Sequence, residues 1–225
     1  MECSAVMYGF SFGARPSRPL TLRGLALMLA MVLPGGLVAA QASAQSVIAA
    51  SPDITIALGG SDLVTSDEAV AVDNQLGVVV LENLGAIPES ADVTAHAVAA
   101  NGDRLFALDT TVDLGGLVLT RGDIARFDGV SHTLELDASA AGVPGSAITD
   151  AVSIAPGGLL LSFDTTVDLG TVIAADEDLV RWDGANFSIA LDGSAVGIDE
   201  TLDVDAGQDL GSSQFLISLD TTGTV

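Results

Sequence analysis

Lysine is absent from this chain of 225 residues, and cysteine, tryptophan and tyrosine occur once each. A lone cysteine, Cys3, can close no disulfide within the chain and can build no multi-thiolate metal site. With no lysine, arginine alone opposes 30 acidic residues, and the formal net charge is −23. Arg15, Arg18 and Arg23 lie near the N-terminus, which leaves Arg104, Arg121, Arg126 and Arg181 as the cations of everything after residue 44. Nucleic acids and anionic membranes are bound through clustered Lys and Arg, so neither is expected as a partner. Long apolar runs are also missing. Gly24–Leu33 is cut off by Pro34-Gly-Gly36, short of the ~20 residues that a membrane span needs.

The basic residues, the short apolar run and then Ala42-Ser-Ala44 form the pattern that a signal peptidase accepts. They predict a Sec-type signal peptide over residues 1–44, with Ala42 as the neighbouring cleavage point, and a secreted or periplasmic protein comprising residues 45–225. Hydrophobic residues make up 49% of the chain, too many for a disordered acidic segment, so the mature part folds. Its length allows a core without bridges.

That part repeats itself every 55 residues. Asp109-Thr-Thr-Val-Asp-Leu-Gly115 returns as Asp164-Thr-Thr-Val-Asp-Leu-Gly170, and its opening returns as Asp220-Thr-Thr-Gly223. Arg126-Phe-Asp-Gly129 returns as Arg181-Trp-Asp-Gly184, and Leu136-Asp137 as Leu191-Asp192. Periodicity of this kind marks a repeat architecture. Within one unit, 150–154 alternates, Pro156-Gly-Gly158 turns, 159–163 is apolar, 179–182 follows a loop, and 187–191 follows Asp183-Gly184. Four short strands are predicted per unit. Asn101-Gly102 and Asp128-Gly129 are the matching hairpin dipeptides of the preceding unit.

The expected fold is therefore all-β: three four-stranded units, approximately 53–108, 109–163 and 164–219, with the two termini sharing one unit. The chain before Thr94 is expected to supply only the second half of a unit, and the chain after Thr201 only a first half. Asp53-Ile-Thr-Ile-Ala-Leu-Gly59 aligns loosely with Asp109 to Gly115. Over roughly 53–225, the hairpin, the strand ending Ser-Phe-Asp164, the loop, Arg181-Trp-Asp-Gly184 and the final strand resemble the β-propeller-like repeats of secreted bacterial proteins of unknown function. The resemblance implies propeller-like sheets and imports no site residues. Propellers use 4 to 8 blades, so three units imply either a ring completed by a homodimer or a β-trefoil or β-prism-like pseudo-threefold closure. The Gln-x-Trp mark of a trefoil is missing.

Asp109, Asp113, Asp164 and Asp168 are the candidate metal ligands, because closely spaced carboxylates beside a turn glycine suit a hard cation such as Ca²⁺. The high negative charge strengthens that expectation, since self-repulsion favours bound cations. The competing reading is that these aspartates cap strands and form Asx-turns. Asp203-Val-Asp-Ala-Gly-Gln-Asp209 comes nearest to an EF-hand loop, with its glycine one place early. Arg126 and Arg181 are expected to hold carboxylates within their own units, with Asp123 and Asp178 as the near partners. Trp182, equivalent to Phe127, reads as a core position. His96 and His132 have Ala151 and Phe187 as counterparts, so neither belongs to a repeated site. Arg121-Gly-Asp123 is a chance adhesion tripeptide, since its counterpart is Asp176-Glu-Asp178. Asn186-Phe-Ser188 is a glycosylation sequon.

No motif assigns catalytic residues. The reading the sequence favours is an exported, non-catalytic, acidic repeat protein that binds a protein or glycan partner, with Ca²⁺ in its loops. The alternatives are an exported hydrolase or lyase with carboxylates as acid and base, which calls for one pocket where the repeats diverge, and a structural subunit of a surface assembly.

Overall fold

The computed structural model describes residues 8–9, 48–51, 56–58, 63–65, 70–73 and 79–220. Most of the predicted leader, residues 53–55 and 59–62, and residues 221–225 with the rest of the third motif copy lie outside them. The chain is all-β, built from several antiparallel sheets. In the first full unit Val93–Val98, Arg104–Leu108, Ile124–Phe127 and His132–Leu136 lie side by side in chain order. Thr149–Ala155, Gly158–Phe163, Leu179–Trp182 and Phe187–Leu191 repeat that meander in the second. The four strands expected per unit are present in both of these units.

Two features of each unit carry no strong sequence signal. The expected loop between the second and third strands holds a two-stranded ribbon, Val112–Asp113 with Val118–Leu119 and again Val167–Asp168 with Ile173–Ala174. After the fourth strand comes a one-turn helix, Ala138–Ala141 or Gly193–Val196. Asp137 and Asp192 cap these turns by accepting the N–H of Ala140 and Ala195, each at 2.9 Å. Gly142 and Gly197 end them in the left-handed conformation.

The partial units differ from expectation at one end. Before the first full unit, Ile48–Ala50 pairs with Ala71–Asp73, which pairs with Val79–Leu81. Ala50 opposes Ala71 one repeat before Leu105 opposes Arg126, so Ile48–Ala50 is a second strand and the N-terminal unit is more than a half. Three residues, two of them alanine, carry little strand propensity, and the sequence pattern does not reveal them. After the second unit, Val204–Gly211 and Gln214–Leu219 form the expected first hairpin. Tyr8–Gly9, within the predicted leader, lies antiparallel beside Leu216 and Ile217 on that hairpin's other edge.

Among the described residues the sheets pack face to face around three cores. Phe106 and Leu108 meet Val70 and Leu84 in the first. Leu105, Ala107 and Ile124 meet Leu159, Leu161 and Phe163 in the second. Leu160 and Leu179 meet Phe215 and Ile217 in the third. Successive residues of a strand point to opposite faces, so a second strand such as Gly158–Phe163 is buried on both sides and reads as an apolar run broken only by Ser162. Half-buried Trp182 packs on Phe187, ring centroids 4.6 Å apart, at the edge of the middle core. The first strands of successive units also lie together, Val93–Val98 against Thr149–Ala155 and Thr149–Ala155 against Val204–Gly211. Thr94 Oγ1 donates to the Thr149 carbonyl at 2.7 Å, and Ser162 Oγ to the Val204 carbonyl at 2.6 Å, so hydrogen bonds as well as apolar contacts join the units.

Candidate functional site

The repeated aspartates are engaged by backbone. Asp109 accepts the N–H of Asp92 at 2.8 Å and returns its own N–H to the Asp92 carbonyl at 3.0 Å. Asp164 does the same with Ile148, at 2.7 and 3.1 Å, and Asp220 with Asp203, at 3.2 and 3.0 Å. The first aspartate of the motif thus clasps the end of the second strand to the start of the first. Asp113 accepts from Gly116 N at 2.6 Å and Asp168 from Gly170 N at 2.9 Å, closing the tight turns of the ribbons. Among the described residues, no group of three or more His, Cys, Asp or Glu side chains is arranged to hold a metal ion. The EF-hand-like run starting at Asp203 is mostly strand, with Asp209 paired to an arginine.

The arginines depart from expectation in their partners. Arg126 does not take Asp123. Its Nε donates to Glu135 Oε2 at 2.7 Å and its Nη1 to Asp103 Oδ2 at 3.0 Å. These bonds, that of Glu135 foremost, push the guanidinium pKa above its ordinary value. Arg181 does not take Asp178. It reaches out of its own unit to Asp209 Oδ2 at 2.8 Å and also donates to the Pro156 carbonyl at 2.5 Å. Asp123 and Asp178 face the other way and accept backbone N–H groups, Asp123 from Thr120 and Ala138, Asp178 from Ala175 and Gly193. Asp123 and Asp178 each lie three positions before their arginine in sequence, but position on the strand decides the partner. Asp123 is 5% exposed, so the Arg121-Gly-Asp123 tripeptide does not present its acid.

Beside Arg181 a cleft of about 520 Å³ opens between the second unit and the last hairpin. Ala190, Val196 and Phe215 give it an apolar floor, and Arg181, Asp209 and Ser213 line its polar side. Ser212 and Ser213 form the hairpin tip with φ of 55° and 59°, a left-handed pair more easily adopted by Asn-Gly. Asp209 is held ionised, its pKa lowered by the Arg181 hydrogen bond and by the N–H of Gly211. Asp192, also on the cleft, caps its helix. Sequence reasoning missed this cleft because no single residue announces it. The available signal was a difference between copies, Glu135 against Ala190 and Asp103 against Gly158, at positions where Arg126 and Arg181 agree.

No family model matches the chain, and a search of curated proteins finds no match.

Outside the cleft, two half-buried carboxylates, Asp150 and Asp203, have pKa values raised to near neutral pH. Burial, reinforced by the charges of Asp203, Asp164 and Asp205, pushes the Asp150 pKa up to about 8. Burial, with Asp205, Asp176, Asp220 and Asp164, pushes Asp203 up to about 7. Both histidines sit in the first full unit. Burial lowers the His96 pKa to about 4, so its ring is neutral. His132 Nε2 lies 2.7 Å from the Leu84 carbonyl and its ring rests on Phe127, a packing role.

Proposed function

We propose that the chain is an exported, non-catalytic β-repeat protein with propeller-like sheets whose ligand site is the cleft between the second full unit and the last hairpin. Export rests on the leader. The propeller-like reading rests on the resemblance and on the chain-order meander of each unit, with first strands gathered side by side. The observation that carries the binding role is the cleft, which falls within the size range of small-molecule sites and combines an apolar floor with a few polar groups. A catalytic carboxylate needs a pKa near the working pH. Asp209 is held ionised by Arg181, and the raised pair Asp150 and Asp203 do not line the cleft. Ser212 and Ser213 have no histidine beside them there.

The test is a screen of glycan and peptide arrays with the wild-type protein and with Ala195→Trp, which fills the cleft from its exposed helical rim. Loss of the captured partner in the variant supports the reading. Equal capture by both proteins moves the site elsewhere, and turnover of an arrayed glycan or peptide makes the protein an enzyme.

A reading as a subunit of an assembly draws on a separate observation. Val118 and Ile173 are 59% and 67% exposed, and Leu134 and Ile189 are 40% and 37% exposed, at matching positions of the two units. A repeated apolar position on the surface is what a partner following the repeat would contact.

A further inference from the structure

The two full units contain the same arginine in two environments. Arg126 and Arg181 occupy the same place on the third strand, opposite Leu105 and Leu160 of the second. In the first unit the guanidinium carries two carboxylates, Glu135 from the fourth strand through Nε and Asp103 from the hairpin turn through Nη1. The second unit has Ala190 at the position of Glu135 and Gly158 at that of Asp103. Gly158 has φ of 142°, and a Cβ there would run into the Trp182 carbonyl, so no side chain can stand where Asp103 does. Asp209, reaching in from the last hairpin, supplies one carboxylate in its place. Nothing supplies the other: among the described residues no group accepts from the Nε of Arg181, and Ala190, where the glutamate would stand, lines the cleft.

We propose that the cleft beside Arg181 binds a small organic carboxylate, whose carboxyl group takes the position that the Glu135 side chain takes on Arg126 and whose body lies on Val196 and Phe215. This deepens the binding role proposed above and rests on it. Two properties of the site bear on the charge of the ligand. The protein as a whole repels anions, but Debye screening confines the field of its distant charges to about 8 Å at physiological salt, Asp209 on the cleft is already paired with Arg181, and Arg126 shows that an arginine at this strand position can hold two carboxylates. A planar guanidinium with an unused N–H on its Nε edge also suits the geometry of a carboxylate better than that of a neutral hydroxyl. The apolar floor selects for a ligand with a hydrophobic or sugar-like body over acetate. An aromatic acid and an acidic sugar share this chemistry and are separated by experiment.

The measurement is the ¹H–¹⁵N spectrum of the arginine Nε–H groups in the isotope-labelled protein as the cell processes it, with Arg181→Lys assigning the Arg181 signal. Benzoate and glucuronate are titrated, with benzamide and glucose as their uncharged counterparts. The expected result is a saturable shift of the Arg181 signal by one or both acids and no shift by the neutral compounds. Ala190→Glu, which restores the first unit's arrangement, should weaken acid binding by roughly tenfold to a hundredfold, the value of a charged hydrogen bond. It should also raise the thermal midpoint, whereas Ala190→Gln, of equal size without the charge, should not.

If the neutral compounds shift the signal as much as the acids, the carboxylate assignment falls and the binding cleft stands. If no compound shifts it and Ala190→Glu leaves the midpoint unchanged, the equivalence with Glu135 is wrong. The array screen with Ala195→Trp then decides separately whether the cleft binds anything.

Discussion

Asp203 lies close enough to Asp150, across the junction between the second unit and the last hairpin, for its charge to oppose the ionisation of Asp150. One oxygen of each carboxylate, Oδ2 of Asp150 and Oδ1 of Asp203, is buried without a hydrogen-bond partner. The charges facing them are all negative, Asp164 and Asp205 for both, with Asp176 and Asp220 also near Asp203. The folded state therefore holds these protons more tightly than the unfolded state does.

An acid whose pKa is raised on folding contributes stability that is fully present below its unfolded pKa and is lost as pH rises through the folded one. With folded values of about 8 and about 7, stability should decline from about pH 4 through pH 8. Thermal midpoints measured across that range should fall with rising pH. Asp150→Asn should flatten the fall and raise the midpoint at pH 8 by several degrees, leaving it little changed at pH 4. A midpoint that rises with pH would show that the pair is ionised in the folded protein at no cost.

The motif aspartates lead to a prediction about metal. Their carboxylates accept backbone N–H groups from the strands they clasp, so removing one should cost stability whether or not a cation is present. Asp109→Ala and Asp164→Ala should each lose about 1 kcal/mol, the net value of a hydrogen bond, in denaturant titrations. A site of extracellular affinity would add about 1.4–2.7 kcal/mol in 10 mM calcium. Calcium at that concentration should raise the midpoint no further than magnesium does. A calcium-specific rise that Asp113→Ala and Asp168→Ala abolish would make these turns metal sites.

The strands were legible because both signals that specify them, apolar runs and turn dipeptides, are local. Asn101-Gly102 and Asp128-Gly129 are followed by strands in register, and Leu159 to Phe163 reads as apolar because cores lie on both its faces. The partners of charged residues were not legible, because pairing depends on which strand lies opposite. Arg126 takes Glu135, nine positions away on a hairpin, and Arg181 takes Asp209, 28 positions away in the next unit. The one-turn helices were missed for a different reason: four residues carry no periodicity, and Asp137 and Asp192 look the same as turn residues and as helix caps.

Coupling between the units can be tested in the middle core. Leu161 is fully buried between the two full units, and Ser162, its neighbour, donates to the Val204 carbonyl of the last hairpin. Leu161→Ala should cost about 2–5 kcal/mol through the lost contacts and the cavity left behind. Ser162→Ala should cost about 1–3 kcal/mol, because it strands a buried carbonyl. Both should lower a single cooperative transition if the units fold together. Hydrogen exchange that speeds up in the last hairpin alone for Ser162→Ala would instead mark that hairpin as a separately unfolding unit.

The exposed apolar positions give the last prediction. Val118 and Ile173 project from equivalent ribbons, and Leu134 and Ile189 from equivalent fourth strands. Exposed isolated apolar residues are ordinary on protein surfaces, but the same position exposed in two successive units gives a partner two matching contacts at one spacing. If this face joins copies of the chain, sedimentation velocity should show association that increases with concentration. Val118→Ser with Ile173→Ser should abolish it without lowering the thermal midpoint, since neither side chain belongs to a core. A monomer at every concentration would remove self-association as the use of these residues and leave them to a partner of another kind.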